Sequence, residues 1–348
     1  MVGLAVAVTP LLSICIPTHD GRAAALAVAL DSVLEQLPDR LGEVEILVCD
    51  NASADATADV VGERIQRHPA TLTYHRNAEN IGFARNIVRA AELAHGHYCW
   101  LLGSDDALAA GGLAAVLKTL RGHRHLTGLS VNRRNLGADL ERAAPPDPPA
   151  LLSRAMQRQP RAYAVAAEAL ADLGLYLTYI SGQIVDRERY LAAAGGAPPE
   201  VVEPGYFMHL YAFTHMLVEC PRWRWDPTPV VLNRTENDAL VELLDRQVAL
   251  YQVETLRDRA LVWGAAVGRG SDLYAVLMRR SCEYWGAPRN VLGFKLGAEH
   301  TLREDLLLLR AFGRHLRGDP RFWLVSLPAL LVPHRVAKLA HRVFVRGR

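Results

Sequence analysis

Lysine is almost absent from this 348-residue chain: Lys118, Lys295 and Lys338 are the only three, and arginine supplies nearly all the positive charge. Such a bias points to a GC-rich coding sequence more than to a mechanism. An excess of one charge sign is missing too, since 39 Lys and Arg face 37 Asp and Glu, a net of +2. That balance argues against a chain coated in base, so no nucleic-acid partner is expected. A disulfide framework is excluded by five cysteines, an odd number, scattered without CxxC or Cys/His ligand spacing. Cys15, Cys49 and Cys99 each sit in an apolar run and read as small buried hydrophobes in a reducing compartment. No run of about 18 uninterrupted apolar residues occurs, and the apolar start, residues 1–12, lacks a basic leader and the length to span a bilayer. A cytoplasmic location is therefore expected. Half the residues are apolar, enough buried surface to offset ordering entropy, which excludes a disordered chain.

The common nucleotide and hydrolase signatures are missing as well. No GxGxxG follows the first strand-like run, and neither GxxxxGK[ST] nor GxSxG occurs. A dinucleotide-dependent dehydrogenase, a P-loop NTPase and an α/β-hydrolase are thus poor fits.

At roughly 150 residues per domain, the length suggests about two domains. The first third alternates strand-like runs (11–17, 45–49, 71–75, 97–102, 127–135) with helix-like ones (23–37, 55–68, 82–94, 110–121). That alternation predicts an α/β fold with a mostly parallel sheet flanked by helices. Ligands in such sheets bind beyond the carboxyl ends of the strands. Residues 143–149 are proline-rich and read as an extended linker or exposed loop. Beyond them the pattern turns largely helical (162–173, 238–266, 273–285, 302–316), with strand-like pieces at 180–186 and 229–233.

Three strand ends carry carboxylates: Pro17-Thr18-His19-Asp20-Gly21, Cys49-Asp50-Asn51-Ala52-Ser53-Ala54-Asp55 and Gly103-Ser104-Asp105-Asp106. A single Asp after a strand is as often a cap or turn former, and Asp55 reads as the cap of the next helix. Adjacent Asp105 and Asp106 are different, because two neighbouring carboxylates repel unless a cation or donors compensate. Mg²⁺ or Mn²⁺, bridging carboxylates and substrate phosphates, would meet that need.

Four stretches together resemble the successive motifs of family 2 glycosyltransferases. They are Leu12-Ser13-Ile14-Cys15-Ile16-Pro17-Thr18; Val48 to Thr57; Asn77-Ala78-Glu79-Asn80-Ile81-Gly82-Phe83-Ala84-Arg85-Asn86; and Gly96 to Asp106. The likeness covers about residues 11–130, in order and spacing, and Tyr179 to Arg187 more loosely resembles the abequosyltransferase-like branch. The resemblance implies a GT-A fold over residues 1–235, with a nucleotide-sugar half at 11–135, an acceptor half at 150–235 and a helical region at 236–348. It implies a metal-dependent, inverting transfer of a sugar from a nucleoside-diphosphate sugar to an acceptor hydroxyl. Pro17, Thr18, His19, Asp50, Asn80, Arg85, Ser104 and Asp105 would bind the donor, with Asp106 and Asp105 on the metal. Asp50 would accept a hydrogen bond from the nucleobase, which favours UDP, dTDP or GDP, since a carboxylate needs a ring N–H that cytosine lacks. The family has an aromatic residue and Asn where this chain has His19 and Asp20, and a further Asp where it has Gly103.

The Glu-Asp pair that supplies the general base in many relatives is absent; Glu203, just before a predicted helix, is the nearest candidate, with His209 the next, as base or metal ligand. A nucleotidyltransferase and a catalytically silent nucleotide-sugar-binding protein are the alternative readings. The acceptor stays open among glycan, lipid-linked saccharide and secondary metabolite. From residue 321 to 348 there are six cations and no acid, with Val336, Leu339, Ala340 and Val343 on one helical face and Arg335, Lys338, Arg342 and Arg346 on the other. Two readings of this tail follow: contact with the inner face of a membrane, or packing on the enzyme or on a second copy in a homo-oligomer.

Overall fold

The computed structural model describes residues 9–37, 42–144, 147, 151–153, 155–202, 207–235, 238–287, 290–291, 302–316, 320, 322–333, 335–337 and 339, with 238–252 as backbone alone. These residues form two compact units that divide after Thr235, the short segment around residue 151 grouping with the second.

The first unit is built on one sheet. Its strands are β1 (Leu12–Thr18), β2 (Val44–Asp50), β3 (Leu72–Arg76), β4 (Tyr98–Leu101), β5 (Ala107–Leu108), β6 (Gly128–Leu136), β7 (Arg161–Tyr163), β8 (Gln183–Asp186) and β9 (Trp223–Arg234). They lie in the order β3-β2-β1-β4-β8-β6-β9-β5, with β7 also on β9. The run β3-β2-β1-β4 is parallel, as the strand–helix alternation predicts, and β6 is parallel to β9. β8 runs antiparallel between β4 and β6, so β4, β6 and β9 all end at the edge where β1, β2 and β3 end.

Alternation sends the two faces of β1 to different helices. Leu12, Ile14 and Ile16 join Ile46, Val48 and Trp100 under α1 (Ala23–Leu34) and α4 (Gly112–Gly122). Cys15 and Cys49 face α3 (Phe83–Leu93), where the Cys15 Sγ lies 3.7 Å from the carbonyl of Ala90. Cysteine on the strands and alanine on the helix (Ala84, Ala90, Ala91) are small enough for that close approach. All five cysteines are free, and Cys15, Cys49, Cys99 and Cys282 are buried. α2 (Thr57–Arg67) begins two residues later than the sequence pattern suggests, because Asp55 holds the turn before it.

The polar edge of β9 closes the unit. A Cβ on Gly128 would fall 2.4 Å from the Trp223 indole, so only glycine admits that ring, whose Nε1 donates to the Ser130 hydroxyl at 2.8 Å. α5 (Ala166–Leu173), α6 (Arg187–Gly195), α7 (Pro199–Val202) and α8 (Met208–Glu219) complete the unit. The second unit is helical: α9 (Asp238–Val267), α10 (Asp272–Trp285), α11 (Leu302–Leu316) and helical turns at Phe322–Ser326 and Leu327–Leu331. No helix among the described residues is long and apolar enough to cross a membrane.

Candidate active site

Register brings the carboxyl ends of β1, β2 and β3 level. Thr18 stands beside Asp50, and Asp50 beside Arg76. The loops that follow are tied to one another. Asp20 Oδ1 accepts from the backbone N–H groups of Ala54 and Asp55, both at 3.0 Å, and Asp55 Oδ2 accepts from Gly21 N at 2.8 Å. Asp55 Oδ1 also accepts from the Thr57 amide at 3.0 Å, an Asx turn ahead of α2; the N-cap of that helix is Ala56, so Asp55 is a clasp between loops and not the expected helix cap. Ala52, between Asn51 and Ser53, has φ +63°. A left-handed alanine costs on the order of 1 kcal/mol, which the surrounding bonds must offset.

A carboxamide lattice fixes the third loop. Asn80 Oδ1 accepts from Asn51 Nδ2 at 2.7 Å and from Gly82 N at 2.9 Å, while Asn51 Oδ1 accepts from Ile81 N at 2.9 Å. Asn86 on α3 donates to the carbonyls of Thr18 (3.2 Å) and Cys49 (2.9 Å) and accepts from Asn77 Nδ2 at 2.8 Å. These asparagines satisfy backbone groups that diverging strands leave open. Arg85 is exposed on the first turn of α3, and His19 is exposed with Nδ1 2.8 Å from the Asp20 carbonyl. Pro17 and Ser104 are buried, and the buried Thr18 hydroxyl has no hydrogen-bond partner.

Asp50 is fully buried and already well supplied with donors. Its Oδ1 accepts from the Ser53 amide at 3.1 Å and from the Ser53 hydroxyl. Its Oδ2 accepts from the Tyr74 hydroxyl at 2.6 Å and faces the Arg76 guanidinium at 3.6 Å. A nucleobase N–H that reaches Asp50 must take a place now held by Tyr74 or Arg76. Burial and the Asp50 charge together push the Tyr74 phenol up.

Past β4, the chain turns at Gly103–Asp106, closed by a 3.1 Å bond from Asp106 N to the Gly103 carbonyl. The two acids converge: a Cβ placed on Gly103 would lie 3.1 Å from Asp105 Oδ1 and 3.6 Å from Asp106 Oδ2. Any side chain at position 103 would therefore point into the same acidic cluster. Asp105 pairs with Arg22 at 3.0 Å. Asp106 Oδ2 accepts from the Tyr179 hydroxyl at 2.8 Å and Oδ1 from the backbone N–H of Arg234 at 3.1 Å. The Arg234 Nε donates to the Asp105 carbonyl at 3.0 Å. Burial, then the neighbouring Asp105 charge, raises the Asp106 carboxyl to about 6. A carboxylate held so is short of positive charge.

Two of the named base candidates fare differently. Glu203 lies outside the described residues. His209 is buried on α8, with Phe83, Phe207 and Phe213 around its ring at centroid distances near 6 Å (6.3, 6.1 and 5.9 Å). Its Nε2 lies 3.3 Å from the Thr178 carbonyl, which fixes that nitrogen as the donor, and its Nδ1 is buried without a partner. Burial lowers its titration to about 4, so the ring is neutral near pH 7. Tyr179, Ser181, Arg22 and Arg234 carry no strand-end or doublet signature; Arg22, Tyr179 and Ser181 lie within stretches of family likeness, but none of the four has a role legible in the sequence.

Comparison with known proteins bears on the first unit. A family model described as "Glycosyl transferase family 2" matches residues 13–163. That match runs from β1 to β7 of the first unit. Among relatives, abequosyltransferase RfbV of Salmonella typhimurium is 30% identical over 188 residues, 52% of this chain and 54% of that protein. Chondroitin synthase of Escherichia coli is 28% identical over 127 residues, 36% of this chain and 18% of that protein. The chain thus spans about half or less of the length of these curated relatives. Among solved structures, residues 1–349 of S. aureus TarS bound to UDP superpose with a TM-score of 0.60 at 18% identity, covering 97% of this chain and 92% of that one. The mannosyltransferase PcManGT from Pyrobaculum calidifontis, solved with GDP-Man and Mn²⁺, gives 0.50 at 18% identity, covering 95% and 88%. At such identities the likeness is one of fold, and it agrees with the GT-A architecture expected for a family 2 glycosyltransferase domain.

Proposed function

We propose that the chain is a glycosyltransferase moving a sugar from a nucleoside-diphosphate sugar to an acceptor hydroxyl, with inversion at the anomeric carbon. The observation that carries this reading is the convergence of Asp105 and Asp106 at the end of β4, inside the stretch that the family model matches and beside the loops after β1 and β9. The abequosyltransferase relative and the TarS and PcManGT structures, solved with UDP and with GDP-Man, support it.

The acid pair fits Mg²⁺ or Mn²⁺. Two hard oxygen donors converge, one of them held at a raised titration by burial and a like charge, which a divalent ion would relieve. No group of three or more His, Cys, Asp or Glu side chains suited to an ion occurs among the described residues, so phosphate oxygens and water would complete the shell. When bound, the ion would neutralise charge developing on the departing diphosphate. Asp105 and Asp106 would hold it, with Arg22 balancing part of the Asp105 charge. Asp50 reads a base with a ring N–H, in exchange for the hydroxyl of half-buried Tyr74, which can turn to water. Thr18, whose hydroxyl lacks a partner, and Pro17, His19, Asn80, Arg85 and Ser104 line the donor side.

Glu203 is the proton acceptor we propose, ahead of His209, whose ring is buried among Phe83, Phe207 and Phe213 and whose titration, lowered to about 4 by burial, makes it a weak base. The basic tail is proposed to rest on an anionic membrane surface, since Trp323, Leu324, Val325, Leu331, Val336 and Leu339 are exposed. A thermal-shift panel tests the donor reading. UDP, dTDP or GDP should raise the melting temperature more with Mn²⁺ than without, and CDP should do so least; no shift with any of them would refute it.

A further inference from the structure

Along the second half of β6, beside Pro229 in the middle of β9, lies a cavity of about 300 Å³. Its floor is a buried ion pair: Arg133 Nε and Nη2 donate to Asp147 Oδ2 and Oδ1 at 2.9 and 2.8 Å, and the two side chains are 15% and 10% exposed. Asn135 Nδ2 adds a 3.1 Å bond to Asp147 Oδ1, and Gln157 Nε2 donates to the Asp147 carbonyl at 3.2 Å. The guanidinium of Arg133 also lies 4.2 Å from the centroid of the Tyr179 ring, whose hydroxyl holds Asp106. A single aromatic ring therefore separates this cavity from the acid pair. Asp147 belongs to the stretch that reads as an extended linker or exposed loop, and its side chain is held here by Arg133.

We propose that this cavity is the subsite that receives a sugar ring of the acceptor, an inference that rests on the transferase reading. Position supports it first. The acceptor hydroxyl must meet the anomeric carbon of a donor whose diphosphate sits at Asp105 and Asp106, and the Arg133 floor of the cavity stands against the Tyr179 ring whose hydroxyl reaches Asp106. Size restricts the occupant. Ligand pockets run from about 300 to 1,000 Å³, so this one takes one ring, not a chain of them. Chemistry names the class. The walls present carboxamides and a guanidinium–carboxylate pair, donors and acceptors in fixed positions, which match hydroxyls that both donate and accept. Because Arg133 is neutralised by Asp147, the floor does not select for an anion. Ala144 lines the cavity with a short apolar side chain, and exposed Arg134 also faces it.

The test is saturation-transfer NMR on the full chain. The probes are methyl glycosides of glucose, galactose, mannose, rhamnose and N-acetylglucosamine, each with the nucleoside diphosphate and Mn²⁺ present. At least one glycoside should receive saturation on the native chain. The Ala144→Trp variant, whose indole fills the cavity, should lose at least four-fifths of that signal, and Arg134→Ala, which disturbs no buried group, should lose at least half. The nucleoside-diphosphate thermal shift should be unchanged in both. No glycoside signal on the native chain, or signals undiminished in both variants, overturns the proposal. If glycoside binding is lost on filling the cavity but no nucleoside diphosphate binds the native chain, the sugar site stands and the transferase reading fails.

Discussion

The hydroxyl of Tyr179 donates a 2.8 Å hydrogen bond to Oδ2 of Asp106, while the backbone N–H of Arg234 donates to Oδ1. Two elements far apart in the chain thus hold one carboxylate that burial and Asp105 raise to about 6. The arrangement costs the metal-free protein stability and prepares a place for a cation.

A stability measurement follows from that cost. An unfolded Asp titrates near 3.9, so the folded form binds the proton more tightly. The stabilisation from this extra proton affinity is complete below about pH 4 and is lost as pH rises through about 6. In Asp106→Asn the amide can keep both contacts, since a tyrosine hydroxyl accepts as well as donates. That variant should melt higher than the native chain at pH 8 without metal, match it more closely near pH 4, and lose most transfer activity. Calorimetry at the two pH values checks the sign.

Asp50 and Tyr74 can be separated by two conservative changes. Asp50→Asn exchanges an acceptor oxygen for a donor and should weaken UDP, dTDP or GDP binding about ten- to hundredfold, the worth of a charge-assisted hydrogen bond of roughly 1.5–3 kcal/mol. Tyr74→Phe frees Oδ2 and should leave binding unchanged or tighter. Calorimetry that finds both variants equally weak would make Asp50 a scaffold residue for Ser53 and Tyr74.

How far these features are legible in the sequence differs by element. The strands β1 to β4 and helices α1 to α4 follow hydrophobic periods that one local window contains, and their ends fall within two or three residues of expectation. β9 starts six residues before the strand-like run at 229–233, because Pro227 and Pro229 interrupt the pattern while Trp223 and Trp225 pack inward. The acid doublet is visible because its residues are adjacent. Its partners Arg22, Tyr179 and Arg234 come from three separate elements, and no local spacing links them. The same holds for Tyr74 on Asp50, and for Asp147, whose proline-rich surroundings suggest solvent exposure when its side chain is buried against Arg133.

Arg133 and Asp147 offer a test of packing. Removing one partner leaves the other charge buried, and breaking such a pair costs about 3–5 kcal/mol. Asp147→Asn should therefore lower the urea midpoint sharply. The double variant Arg133→Met with Asp147→Leu, which removes both charges, should recover most of that loss.

The tail predicts salt-sensitive binding to lipid. Vesicles containing phosphatidylglycerol should retain the native chain at low salt and release it at high salt, while neutral vesicles retain little. Leu324→Glu with Leu331→Glu, at two of the most exposed apolar side chains, should weaken retention several-fold without changing nucleotide binding. Equal retention on neutral and anionic vesicles would remove the electrostatic part of this reading.

The most direct measurement is the identity of the nucleotide product. The chain is incubated with UDP-, dTDP- and GDP-sugars and Mn²⁺, and the nucleotides are resolved by ion-exchange chromatography. One donor should release its nucleoside diphosphate, by transfer or by slow hydrolysis, and the release should vanish in Asp106→Asn and in excess chelator. Nucleoside monophosphate and sugar 1-phosphate in its place, from cleavage of the diphosphate bond by water, or nucleoside diphosphate released at an undiminished rate in the chelator and in the variant, would contradict metal-dependent glycosyl transfer at Asp105 and Asp106.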